Sequence, residues 1–283
     1  MPGRGNKKNM NILYITRKYP PSIGGMQTMN YNLIESLGRK VTVEKITWGG
    51  SQAYLPVFII SAYIKACVHL RKKFDLLITG DALLAPLGLI LKKQFNLKVL
   101  CIAHGLDITF PNRIYQRLIV SSLKRFDKIV CVSKSTREEC QKRGLFNITV
   151  IPNGVRLPPY EPGKARQDIM DPAIYNKKIL LTVGRLVKRK GIAEFVTNVI
   201  SKLGSVRNDF VYIIIGEGKE RGRIEDVISR LGLHGKVRLL GRCSDDVVKQ
   251  FFYQAKLFIM PNIRVEGDVE GFGIAALEAS GCG

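Results

Sequence analysis

The sequence predicts an α/β chain of two doubly wound units, each a parallel sheet crossed by helices. Three observations lead there. Short apolar, β-branched runs alternate with helical ones from end to end. The alternation breaks once, in a proline-rich stretch, and then restarts. The chain has 283 residues, 46% of them hydrophobic, which suits two domains with cores of their own.

The elements follow in order. "MNILYIT" (10–16) reads as a buried strand, followed by the loop "RKYPPSIGGMQ" and the helix "TMNYNLIESLGRK". A strand "KVTVEKIT" (40–47), a helix across 54–73 and a strand "FDLLITG" (74–80) come next. The helical "ALLAPLGLILKKQF", the strand "NLKVLCIAHG" (96–105), the helix "RIYQRLIVSSLKRF" and the strand "DKIVCVS" (127–133) continue the alternation. "KSTREECQKRGL" reads as a helix capped by Ser135, and "NITVIPNGV" (147–155) closes the series. The segment 156–178 holds four prolines and no sustained apolar period, so it reads as a linker. The second series runs "KILLTVGRL", "GIAEFVTNVISKLGS", "DFVYIIIGEG", "RGRIEDVISRLGL", "KVRLLGR", "SDDVVKQFFYQA" and "KLFIMPN", strand and helix by turns. It ends on the helix of "EGFGIAALEAS". Residues 1–9 read as a disordered tail, 10–157 as one Rossmann-like domain, 158–177 as the linker and 178–283 as a second, incomplete one.

Composition narrows the function classes. The net charge is +22. Residues 1–160 hold 25 Lys+Arg against 8 Asp+Glu, a net of +17, which leaves 20 against 15, or +5, for the rest. The first domain therefore suits an acidic partner, and an anionic membrane surface fits better than nucleic acid. No helix-turn-helix or zinc-finger spacing is present, so no specific nucleic acid is expected. Six scattered cysteines without Cys-x-x-Cys spacing fit a reducing cytosol. The longest apolar run, 54–70, is interrupted by Pro56, Lys65 and His69 and reads as a packed helix, with an exposed basic end, rather than a membrane span. Glu266, Asp268 and Glu270 alternate without partners at ligand spacing, so no metal is expected.

Several short stretches carry chemistry. Gly24 and Gly25 follow the first strand, where ligands of open α/β sheets bind. His104 ends a strand in "CIAHG", with Asp107 in the loop beyond. "GRLVKRKG" offers cations: Arg185 for a bidentate contact, Lys190 as a point charge, Lys188 and Arg189 as solvated neighbours. Gly216 and Gly218 lie in "GEGKER", whose spacing does not complete a dinucleotide loop. In "EGFGIAALEA", Gly271, Phe272 and Gly273 lead into a helix with bare backbone N–H groups, and Glu270 and Glu278 return to nearly the same face. Taken singly, each stretch also reads as an ordinary turn, a strand-end histidine or a solvated basic loop.

Together, "PPSIGGMQ", "AHGLD", "CVSKSTRE", "VIPNGV", "LTVGRLVKRKG", "IIGEGKER" and "EGFGIAALEA" resemble glycosyltransferase family 4 in the family's own order, across essentially the whole chain from Met10. The closing motif is most similar to bacterial enzymes that mannosylate or hexosylate lipid-linked or polysaccharide acceptors. The resemblance implies a GT-B fold, two Rossmann-like domains facing a cleft, and a retaining transfer from a GDP- or UDP-sugar without metal or other cofactor. It implies that Arg185 and Lys190 hold the diphosphate, and that Glu270 and the N–H groups around Phe272 and Gly273 meet the donor sugar. It further implies that Gly25 and Gly216 line the donor, that Glu278 takes the ribose hydroxyls, that His104 lies beside the transferred sugar, and that Gly24, Gly25 and Asp107 lie on the acceptor side. No protein nucleophile matches, so front-face attack is expected, the departing phosphate taking the acceptor proton. Family members continue beyond the point matching Gly283, which implies a truncated chain; the resemblance also implies an enzyme of the cytoplasm or of the inner membrane face. Two rivals stay open: a GT-B sugar-nucleotide 2-epimerase, and a non-catalytic basic binding protein that kept the fold.

Overall fold

The computed structural model describes residues 10–22, 24–155, 174, 176–265 and 272–283. Glu266, Asp268, Glu270 and Gly271, most of the expected linker and the expected tail lie outside these. The chain divides into two compact units, Met1–Val155 with Gly267–Phe272, and Arg156–Glu266 with Gly273–Gly283.

Unit 1 is a six-stranded sheet of order β2-β1-β3-β4-β5-β6: β1 Asn11–Thr16, β2 Thr42–Thr47, β3 Leu76–Thr79, β4 Lys98–Ala103, β5 Lys128–Cys131 and β6 Ile148–Val150. Every pairing is parallel. Between the strands run α1 Gly25–Gly38, α2 Leu55–His69, α3 Ala85–Phe95, α4 Leu106–Thr109, α5 Arg113–Leu123 and α6 Lys134–Lys142. Alternate strand residues such as Leu13, Ile15, Leu77, Val99, Cys101 and Ile129 join one core with Phe58, Leu84, Leu91, Ile119 and Leu123 from the helices. The chain passes from β1 to β2 on one side and returns to β3 on the other. The switch point therefore falls between β1 and β3, where open α/β sheets bind ligands beyond the strand ends.

Unit 2 is a four-stranded parallel sheet of order β10-β7-β8-β9: β7 Lys178–Val183, β8 Phe210–Ile215, β9 Val237–Gly241 and β10 Leu257–Phe258. Its switch point lies between β7 and β10. β8 is buried on both faces: Phe210, Tyr212 and Ile214 enter one core, Val211, Ile213 and Ile215 the other. A continuous helix follows β7 as α7 Ile192–Phe195, a π-helical turn Val196–Ile200 and α8 Ser201–Val206. α9 Arg221–Arg230, α10 Asp245–Gln254 and α11 Ile274–Gly281 complete the unit.

Several local expectations are corrected. Ser133, not Ser135, caps α6: its Oγ accepts from the Thr136 N–H at 3.1 Å, because "KIVC" ends the strand earlier and leaves Ser133 extended. α1 begins at Gly25, three residues before the expected start. α5 stops at Leu123, and β10 is only two residues long. A short helix, α4, fills the loop after β4. Arg189, expected in solvent, is 8% exposed. α2 is not packed all round, for one apolar side of it faces outward.

Candidate functional site

The first group gathers at the switch point of unit 1. β1 and β3 pair with Ile15 opposite Thr79, which carries Arg17 and Asp81 out of the sheet side by side. The Arg17 Nε donates to Asp81 Oδ1 at 3.1 Å. The same oxygen accepts from the Leu83 N–H at 3.0 Å, capping the turn into α3. Asp81 Oδ2 is buried without a hydrogen-bond partner. Burial drives the Asp81 carboxyl above its ordinary range; Arg17 opposes that, and the charge of Asp107 adds to it. Gly80 has no Cβ because one would meet Thr16 Cβ at 2.7 Å and Asn30 Oδ1 at 2.8 Å. The Tyr14 hydroxyl donates to that Asn30 oxygen, and Asn30 Nδ2 donates to the carbonyls of Lys18 and Met26. The strand-end loop is thereby fastened to α1.

His104 leaves β4 into the same place and is 9% exposed. Its Nε2 stands 3.0 Å from the Gly80 carbonyl oxygen. A carbonyl can only accept, so Nε2 carries the hydrogen, and in the neutral ring Nδ1 keeps its lone pair. Asp107 holds the surroundings: one carboxylate oxygen accepts from the His104 N–H at 2.8 Å, the other from the Ala82 N–H at 3.0 Å. One buried carboxylate thus binds the β3 loop to the β4 loop. Gly24, with φ of 151°, immediately precedes α1, and Gly25 opens the helix, whose first N–H groups have no side-chain cap.

The second group belongs to unit 2. After β7 the chain turns at Gly184; Arg185 is exposed and Lys190 half-buried. Backbone hydrogen bonds hold this loop. Leu186 N–H donates to the Glu217 carbonyl at 2.9 Å, and Glu220 N–H to the Leu186 carbonyl at 3.0 Å. Gly216 and Gly218 are glycine because a Cβ on either would lie deep inside the carbonyls of Gly184 and Leu186. That close approach explains "GEG" within the protein itself. On the other side, the Ile263 N–H donates to the Arg189 carbonyl at 2.9 Å, and Gly191, with φ of 61°, sits against the Pro261 carbonyl. The segment after β10 is thus stapled to the cation loop.

Gly273, left-handed at φ of 78°, leads directly into α11, which has no side-chain cap. Phe272 precedes it, half-buried. Further along, Ala275, Ala279 and Cys282 pack on the core beneath. Glu278 is half-buried on this helix. Desolvation raises its carboxyl, the nearby Asp245 raises it further, and Lys249 opposes both. Glu270 lies outside the described residues. The structure therefore gathers His104, Asp107, Gly24 and Gly25 on unit 1, and Arg185, Lys190, Gly216, Gly273 and Glu278 on unit 2, while Phe272, the residue before Gly273, is grouped with unit 1. Sequence reasoning missed Arg17 and Asp81. Strand register was the signal available for them, since parallel strands ending at 16 and 80 bring the two residues together.

Each half of the chain matches a known family, "Glycosyltransferase Family 4" over residues 23–157 and "Glycosyl transferases group 1" over 166–283. The chain belongs to the glycosyltransferases. It is 25% identical over 307 residues to a protein of the human phosphatidylinositol N-acetylglucosaminyltransferase, covering 96% of this chain and 60% of that protein. The GPI3 subunit of the corresponding transferase from Saccharomyces cerevisiae strain YJM789 is 25% identical over 59% of this chain and 36% of its own length. The chain thus spans less than two thirds of these curated relatives. Among solved structures, the sucrose-phosphate synthase of Thermosynechococcus elongatus superposes with a TM-score of 0.76, at 20% identity over 97% of this chain and 80% of that one. Anabaena HepE in complex with UDP and glucose gives 0.66 at 20% identity, over 97% and 79%. These similarities establish the GT-B fold for the glycosyltransferase.

Proposed function

We propose that the chain supplies the two half-sites of a retaining hexosyltransferase that uses a GDP- or UDP-sugar and a hydroxyl on a lipid-linked or glycan acceptor. One observation carries this reading. Arg185 and Lys190 stand at the switch point of the second sheet, on a loop locked by backbone hydrogen bonds to the loop after β8 and to the segment that leads toward α11. Fixed cations there stabilise the charge that builds on a departing diphosphate. Phe272 and Gly273 add the open N–H groups of α11 for a phosphate or sugar oxygen.

In the reaction, the anomeric carbon–oxygen bond to the diphosphate breaks and the nucleoside diphosphate leaves with the electron pair. The acceptor oxygen bonds to the anomeric carbon on the same face, and its proton passes to the leaving phosphate oxygen. His104 offers the Nδ1 lone pair to a sugar hydroxyl, while Asp107 and the Gly80 carbonyl hold its ring and backbone. Glu278 accepts the ribose hydroxyls, and Glu270 those of the donor sugar. No metal or cofactor enters this scheme. Relatives named for phosphatidylinositol support an acceptor carried on a lipid, with the protein working at a membrane face. Bound UDP in the HepE structure supports the donor class.

Calorimetric titration with UDP and GDP tests the assignment. Loss of one charge-assisted contact is worth about 1.5–3 kcal/mol, so Arg185→Ala and Lys190→Ala should each weaken binding about tenfold to a hundredfold. Parent-like affinity for both nucleotides in both variants would sink it.

A further inference from the structure

The helix layer of unit 1 is incompletely covered. α2 buries Phe58, Ala62 and Ala66 toward the sheet. Its other side carries Val57, Ile60, Ile64 and Val68, exposed by 61%, 63%, 57% and 58%, and Tyr54 just before the helix is 62% exposed. At 3.6 residues per turn these four fall within an arc of about 80° and run for about 16 Å. A helix apolar on every side normally lies inside a protein. The neighbouring helices extend the pattern: α3 packs on α2 and exposes Ile90, and α5 packs on α3 and exposes Ile114 and Leu118.

Charge says what covers this layer. α2, α3 and α5 contain no aspartate or glutamate, whereas α1 holds Glu35 and α6 holds Glu138 and Glu139. Exposed cations flank the stripe instead, Lys65 on α2 and Arg71, Lys72 and Lys73 just after it, and Arg113 and Arg117 lie further along the same layer, on α5. Protein interfaces favour aromatic residues at their centre and disfavour lysine. A β-branched stripe bordered by cations and free of carboxylates instead complements an anionic lipid leaflet, with apolar side chains at the headgroup–acyl boundary and cations at the phosphates.

We propose that unit 1 docks on an anionic lipid leaflet through α2, with Val57, Ile60, Ile64 and Val68 inserted and the flanking Lys and Arg side chains on the lipid phosphates. α5 offers less apolar area than α2, because Ile119 and Leu123 of that helix are buried and only Ile114 and Leu118 remain outside. α2 supplies the apolar area and α5 a share of the charge. The proposal stands on the surface of unit 1 and does not depend on the transfer reaction.

Vesicle flotation of the purified chain tests it, using phosphatidylcholine alone and phosphatidylcholine with about one third phosphatidylserine. Binding only to the anionic vesicles, weakening as salt rises, is expected. The double variant Ile60→Asn, Ile64→Asn should lower that binding about tenfold or more without changing the thermal unfolding midpoint. Val206→Asn, on a residue 77% exposed on unit 2, should leave it unchanged. Equal binding to both vesicle types, or parent-like binding by the double variant, overturns the proposal. So does a chain that self-associates in gel filtration without lipid and loses that association in the double variant, since the stripe is then a protein interface. No donor or acceptor enters the assay, so its failure leaves the transfer reading standing, and failure of nucleotide binding leaves this one.

Discussion

Replacing Asp107 by alanine removes one carboxylate that two buried N–H groups share, from His104 at 2.8 Å and Ala82 at 3.0 Å. The residue is 7% exposed, so water is poorly placed to take its part. Each orphaned buried donor costs about 1–3 kcal/mol. Relief of the charge that Asp107 places beside the buried Asp81 returns some of this, leaving a net loss of about 2–4 kcal/mol. The chain has one tryptophan, Trp48, and it stacks on Phe58 of α2 with ring centroids 5.5 Å apart. Tryptophan emission during urea unfolding therefore reads unit 1, even where the two units unfold separately. With a slope of about 2 kcal/mol per molar urea, the midpoint should fall by about 1–2 M. Asp107→Asn keeps one acceptor oxygen but points an amide donor at a backbone donor, so it should recover half of the loss at most. A residue kept only to touch ligand would leave stability unchanged or higher when removed. A midpoint within about 0.3 M of the parent would refute the bracing role.

Four further substitutions separate structural from binding roles. Gly216→Ala drives a Cβ into the Gly184 carbonyl at a φ of 146°; circular dichroism melting should show a loss of about 2 kcal/mol or more, with nucleotide affinity falling as the Arg185 loop moves, and a parent-like melt would contradict the packing argument. Ser133→Ala should cost about 1 kcal/mol through loss of the α6 cap and Ser135→Ala less than about 0.5; the reverse order would restore the cap to Ser135. Glu278 has a carboxyl raised in the fold, so its contribution to stability is present below its ordinary value of 4.5 and is lost as pH rises through the folded value. Glu278→Gln should therefore be more stable than the parent at neutral pH, the difference vanishing in acid, and should lose preference for ribo- over 2′-deoxyribonucleotides; a parent preference that survives the change removes Glu278 from the ribose.

Both units could be read from residue order because their signals are local. Apolar runs of strand length, helical runs between them and the prolines of 156–178 are properties of short windows, and "GRLVKRKG" after a strand already points to an anion. Facts that depend on which segments become neighbours needed the folded chain. The partnership of Arg17 with Asp81 exists only through the β1–β3 register. Asp107 looks like a loop carboxylate until two strand-end loops present their N–H groups to it. Arg189 lies in a basic run, and its burial follows from the segment after β10 folding over that loop. The side of α2 left open is likewise undetermined by a helix apolar all round. Periodicity says how side chains repeat about an axis; only the sheet and the helices packed beside it decide which of them water can reach.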